Sequence, residues 1–248
     1  MTEATRRERL RAETEREIRQ AARALLVESG RDAVTLRAIA RKLGITAPAL
    51  YRYYDSHDAL LRQLCDDICD DMATALHEDL AADPTAKVDC KVRTVCHAFR
   101  RWALAHPQEF ALVFASPRDP LGADQFGSVF LRLAGPLIAS NQAANHVDAE
   151  VPSVLHEDLV RFQQVLAGAV SATGVELDGH VLNLGKIYHV VQSWVRLYGH
   201  VALEVFGRFP FAVTNPEPMF DSMLDQMLMD IGFSEAPESA GAPESAGR

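Results

Sequence analysis

Apolar residues recur along this chain at intervals of three and four, and that spacing constrains the fold more than any other feature. Ile18, Ala22, Leu25 and Leu26 share one side of a helix, and Gly30 follows as a stop. Leu36, Ile39, Ala40 and Leu43 stand at i, i+3, i+4 and i+7, with Thr35 before them as an N-cap and Gly44 after them as a terminator. Thr46 is expected to cap a third helix whose first turn holds Pro48, where the missing N–H has no intrahelical partner in any case. Asp55 and Ser56 break that helix and start a longer one, with Leu61, Leu64, Cys65, Ile68 and Met72 along one side. Nine prolines between Pro84 and Pro218 divide the rest into segments of helical length, and no convincing alternating strand pattern occurs. The fold class is all-α.

Charge is divided by position. The 248 residues carry a formal net charge of −9, which taken alone argues against nucleic acid as a partner. Residues 1–57, however, hold twelve basic and eight acidic side chains, while the remainder sums to −13. A basic head on an acidic body is the asymmetry expected when one small domain meets phosphate, although arginines on solvated helix faces, or a basic patch for another kind of partner, would give the same split. Aromatics follow the same division: all eleven Phe and both Trp lie beyond residue 98.

Within the head, Ala40, Gly44 and Leu50 fall at the spacing Ala-x3-Gly-x5-Leu across two short helices and a tight turn. A small residue at 40 lets the helices cross closely. Gly44 can adopt the positive φ of a sharp turn, and Leu50 anchors the second helix while its other faces stay free. This is a helix-turn-helix spanning about 36–54, whose second helix enters the major groove by its N-terminal residues.

The run TLRAIARKLGITAPALYRYYDSHDALL (35–61) resembles the DNA-binding domain of the TetR/AcrR (tetracycline-repressor) family of transcriptional regulators, closely over residues 10–70. The resemblance implies a three-helix head, a connecting helix at 56–82, and a larger helical domain that binds an effector and dimerises. It implies no enzymatic activity. Thr35 and Arg37 would begin the second helix facing the duplex, Arg37 on a guanine edge or a phosphate. Thr46, Ala47 and Pro48 would form the leading end of the recognition helix, with Ala47 and Pro48 offering apolar contact to thymine methyls. Tyr51 and Tyr53 would donate to phosphates or base edges, and Arg52 would add a charge contact. Tyr54 takes a position where the family buries an aromatic. His57 departs from the lysine the family commonly places there, so its phosphate contact would depend on pH. Arg6 to Arg11 either reach along the duplex or form a solvated helix start.

The helix near 181–206 carries a narrow polar stripe of Lys186, His189, Ser193, Arg196, His200 and Glu204 against a wide apolar arc that includes Leu184, Ile187, Trp194 and Val201. Residues 217–232 are similar, with Met219, Phe220, Leu224, Met227 and Leu228 against Asp221, Asp225 and Asp230. Helices apolar on two sides need a second partner. Homodimerisation through this pair provides one, and a single larger monomer core is the alternative. The segment WVRLYGHVALEVFGRF (194–209) partly resembles the C-terminal domain type named for a Trp-His-Gly signature, with Tyr198 in place of the histidine. The effector domain's aromatics Phe99, Trp102, Phe110, Phe114, Phe126, Phe130 and Phe162, with Gln163 and Gln192 as polar contacts, are candidate lining for an apolar or aromatic effector, although core packing uses the same residue types.

Gly-rich phosphate loops, GxSxG, HExxH and Glu-x-x-His pairs are all missing from the sequence, so no catalytic residue, cofactor or metal is expected. Cys65 and Cys69 are i, i+4 neighbours that could sense oxidants or a soft metal, but Cys65 continues an apolar stripe and reads better as packing. No apolar run reaches membrane-spanning length and no apolar stretch follows the N-terminal arginines, so a soluble cytoplasmic protein is expected. The expected domains are a helix-turn-helix head at 1–57, an effector and dimerisation domain at 58–233, and a disordered tail at 234–248 in which APESAG occurs twice.

Overall fold

Local chemistry sets the ends of the first helices. A computed structural model describes residues 3–114, 151–171 and 183–230. Helix α1 (Glu3–Ser29) stops where Gly30 takes φ 79° and its N–H bonds the Leu26 carbonyl at 2.8 Å. Helix α2 (Leu36–Leu43) starts at Thr35, whose hydroxyl accepts the Ala38 N–H at 3.2 Å, and ends at Gly44 in the left-handed region with φ 68°. Helix α3 (Ala47–Leu50) holds Pro48 in its first turn, and helix α4 (His57–Ala81) is capped by Ser56, whose hydroxyl accepts the Ala59 N–H at 3.0 Å. Helices α5 (Val88–Ala105), α6 (Pro107–Phe114), α7 (His156–Ser171), α8 (Leu184–Val205) and α9 (Glu217–Asp230) follow. Among the described residues there is no strand.

Two local expectations needed revision. Thr46 occupies the N-cap position of α3 with extended backbone but makes no side-chain capping hydrogen bond. Helix α3 itself is a single turn, because the chain tightens after Leu50: the N–H groups of Tyr53 and Tyr54 both reach the Leu50 carbonyl, at 2.9 and 3.1 Å.

The described residues form two compact units, 3–86 with 94–114, and 87–93 with 151–171 and 183–230. In the first, Ile18, Ala22 and Leu26 of α1, Ile39 and Ala40 of α2, Leu50 of α3, and Leu60, Leu64 and Ile68 of α4 are buried, as the apolar spacing requires. Cys65 and Cys69 are buried on the same stripe of α4. In the second, Val151, Leu159, Leu166 and Ile187 make a core against which Leu155, Phe162, Leu184 and Tyr188 pack. There Arg93 at the start of α5 pairs with Asp225 of α9 at 2.6 Å, and Arg196 of α8 pairs with Asp230. No helix of the described residues is long and apolar enough to cross a membrane.

Candidate nucleic-acid interface

Helices α2 and α3 bury Ile39, Ala40 and Leu50, so the remaining faces of the helix-turn-helix are presented to solvent. Thr35, Arg37, Arg41, Thr46, Pro48, Tyr51 and Arg52 are exposed, and Ala47, Tyr53 and His57 are half-buried. Tyr51 is 57% exposed, a large aromatic held in water on a surface where an ordinary fold would bury it. Arg37, Arg41 and Arg52 make no ion pair with any described residue, whereas nearby Lys42 is engaged by Glu28 at 2.8 Å. Three exposed cations without carboxylate partners among the described residues, and an exposed tyrosine, leave positive charge on the helix-turn-helix available to an anion. The Gly44 turn joins the two helices, and a Cβ at Gly44 would meet no atom within 4 Å, so glycine is required there by backbone conformation alone.

His57 is tied into the fold. Its Nε2 lies 2.6 Å from the Val34 carbonyl oxygen, an acceptor, so Nε2 donates there, and Nδ1 can meet a phosphate oxygen only as the second N–H of a doubly protonated ring. Tyr54 is buried, accepts a hydrogen bond from the Arg19 guanidinium at 3.1 Å, and donates to the Glu15 carbonyl. Burial pushes its phenol above the ordinary tyrosine range, with Arg19 acting in the opposite direction. Arg6, Arg7 and Arg9 lie exposed on the first turns of α1.

Two comparisons of sequence decide the family. The model described as "Bacterial regulatory proteins, tetR family" matches residues 18–64, which contain the whole helix-turn-helix. The model described as "Tetracyclin repressor-like, C-terminal domain" matches residues 92–227, more than half of the chain. The chain belongs to the TetR family of transcriptional regulators. This regulator is 30% identical over 223 residues to the HTH-type transcriptional regulators Mb1846 of Mycobacterium bovis and Rv1816 of Mycobacterium tuberculosis, covering 86% of this chain and 89% of each relative. Among solved structures, the regulatory protein SCO4313 superposes with a TM-score of 0.62 at 25% identity, covering 90% of this chain and 98% of that one. A protein of unknown function from Rhodococcus sp. RHA1 shares the fold, with a TM-score of 0.56 at 16% identity over 88% of this chain and 95% of that one. The regulator therefore carries a TetR-type DNA-binding domain, and its relatives are regulators rather than enzymes.

The candidate effector-lining residues are distributed between the two units. Phe99, Trp102, Phe110 and Phe114 belong to the first. There the Phe99 and Phe110 rings lie 6.1 Å apart, and Phe114 meets them at 5.9 and 4.6 Å. Trp102 stacks on His106 at 5.0 Å. Phe162, Gln163 and Gln192 belong to the second unit and are half-buried. Phe126 and Phe130 lie outside the described residues, as does the expected tail at 234–248.

A charged seam joining α1, α4 and α6 went unseen in the sequence. Arg19 and Arg23 of α1 pair with Asp67 and Asp71 of α4. Arg23 also reaches Glu109 of α6 at 2.5 Å, and His106 Nδ1 lies 2.6 Å from the second oxygen of that carboxyl. The signal was present as two arginines and two aspartates at matching i, i+4 spacing, each set beside an apolar stripe.

Proposed function

We propose that this regulator is a repressor that binds a roughly palindromic operator as a homodimer and is released by a small apolar or aromatic effector. The observation that carries the reading is the exposed face on which Arg37, Arg41, Arg52 and Tyr51 stand without ion-pair partners among the described residues. Arg37 and Tyr51 would read base edges, with Thr35, Thr46, Ala47, Pro48, Tyr53 and Arg52 completing the contacts and His57 adding a weak phosphate contact. Dimerisation is assigned to α8 and α9, where Val195 at 60% and Met229 at 55% exposure leave apolar surface for a second copy. Two heads so joined reach half-sites about 34 Å apart or a multiple of that.

In this reading the head is 1–57 and the effector and dimerisation domain is 58–233, working in the cytoplasm. An effector held near Phe99, Trp102, Phe110, Phe114 or Phe162 displaces α4 and changes the separation of the recognition helices. It shifts the equilibrium only by its different affinity for the two states. The test is retention of sheared genomic DNA by purified protein, followed by sequencing. A recovered inverted repeat supports the reading. Loss of every enriched fragment, at low salt and without effector, contradicts it.

A further inference from the structure

Helix α1 runs past the domain that it helps to build. Ile18 is fully buried, whereas every residue from Arg6 to Glu13 is exposed. About 12 Å of helix therefore stands clear of the core. A short helix is marginal in water, and a stretch with no packed face is held by what it continues or by what it touches. Arg11 pairs with Glu15 at 2.9 Å, and Arg16 with Glu13 at 3.9 Å. Arg6, Arg7 and Arg9 make no ion pair with any described residue.

The stretch is positive, and it leaves the fold beside the helix-turn-helix. Residues 6–13 hold four arginines against two glutamates. Arg7 and Arg11 stand eleven residues before Ile18 and Ala22, on the face of α1 that enters the core. Beyond the edge of the core that face changes from apolar to guanidinium. One turn further along α1, the Glu15 carbonyl accepts the Tyr54 hydroxyl at 3.5 Å. Arg11 itself lies near enough to Tyr53 and Asp55 for their charges to act on it. The stretch thus begins next to the end of the recognition segment, ahead of residues 18–64 that match the DNA-binding domain.

We propose that the first turns of α1 bind the phosphate backbone of duplex DNA, through Arg6, Arg7 and Arg9, beside the bases that the helix-turn-helix reads. The proposal rests on the helix-turn-helix as the operator-facing surface and extends that contact along the duplex. DNA carries one negative charge for about every 1.7 Å of its axis, so several phosphates face a helical segment of this length. Such contacts add affinity and salt dependence and carry no sequence information.

Fluorescence anisotropy tests this with the full chain and its triple variant Arg6→Gln, Arg7→Gln, Arg9→Gln. Each protein is titrated over a salt series on the recovered operator fragment and on a duplex of unrelated sequence. In the variant the slope of log affinity against log salt is shallower by about 2–3 on both duplexes, and operator affinity near about 0.1 M salt falls roughly ten- to hundredfold. Preference for the operator over the unrelated duplex stays at the wild-type value. Equal slopes for the two proteins, or a lower affinity at unchanged slope, overturn the proposal and leave the arginines as a solvated helix start. Where no operator is recovered, the unrelated duplex still decides. A shallower slope there supports the arginine contact and counts against the regulatory reading alone, and a wild type that binds neither duplex overturns both.

Discussion

Arg23 of α1 donates to the buried carboxylate of Glu109 on α6 at 2.5 Å, and its other guanidinium arm reaches Asp71 on α4. One side chain thereby joins the helix that supports the recognition motif to two helices behind it. Glu109 is 3% exposed and is satisfied only because Arg23 and His106 both reach it. Removal of the carboxylate leaves Arg23 with Asp71 alone and His106 without its acceptor.

Glu109→Ala is therefore expected to destabilise the protein by about 2–4 kcal/mol, since Arg23 and His106 lose a shared buried acceptor. Urea unfolding measures it. The exposed pair Arg161–Asp158 is the control, where Asp158→Ala changes stability by less than about 0.5 kcal/mol.

The caps make separable contributions. Thr35→Ala and Ser56→Ala each remove a hydroxyl that accepts a helix N–H, at 3.2 and 3.0 Å, and each costs about 1 kcal/mol. Thr46→Ala removes no such bond and leaves thermal stability near the wild-type value. A loss at Thr46 equal to the other two would contradict this account of α3.

Gly44→Ala places a Cβ in a backbone at φ +68° where no neighbouring atom is within 4 Å. The cost is that of the left-handed conformation alone, about 1–2 kcal/mol, and it appears as a lowered melting temperature. Gly44→Asn recovers part of the loss, because asparagine tolerates that region better than alanine.

Acid sensitivity has a local source at the end of α9. Hydrogen bonding from Arg196, then from Gln226, holds the Asp230 carboxyl below its ordinary value. A lowered folded-state pKa means stability that is present above the unfolded value and lost as pH falls through the folded one. Asp230→Asn should therefore flatten the acid limb of the stability curve below about pH 4 and leave the neutral region little changed. Asp70 works with the opposite sign: burial first, then Asp67, Asp66 and Asp71, raise its pKa, so protonation there relieves strain on α4 as pH falls.

Much of the head was legible because its determinants are local. Leu36, Ile39, Ala40 and Leu43 lie within two turns, and Thr35 and Gly44 mark their own helix ends through one residue's conformation. Tyr54 was legible as core through the family resemblance, which places a buried aromatic at that position. The Arg19–Asp67 and Arg23–Asp71 pairs each join residues 48 positions apart, and no periodicity within one helix encodes which distant helix packs beside it. Lys186 shows the same limit. It stands in a polar stripe by spacing, yet the fold encloses it, because burial is decided by what covers a turn rather than by the turn itself. Thr46 has the residue type and backbone of a cap without its hydrogen bond, a difference of side-chain rotation that spacing does not carry.

The most direct test of the DNA-facing surface is operator binding by Arg37→Ala with Tyr51→Ala, measured on a recovered genomic fragment across a series of salt concentrations. Both side chains are exposed, so the variant should fold and sediment as the wild type does. The account predicts that specific binding is lost while salt-sensitive, sequence-independent binding through Arg41 and Arg52 persists. Operator affinity equal to the wild type would contradict it and place the reading surface elsewhere on the head.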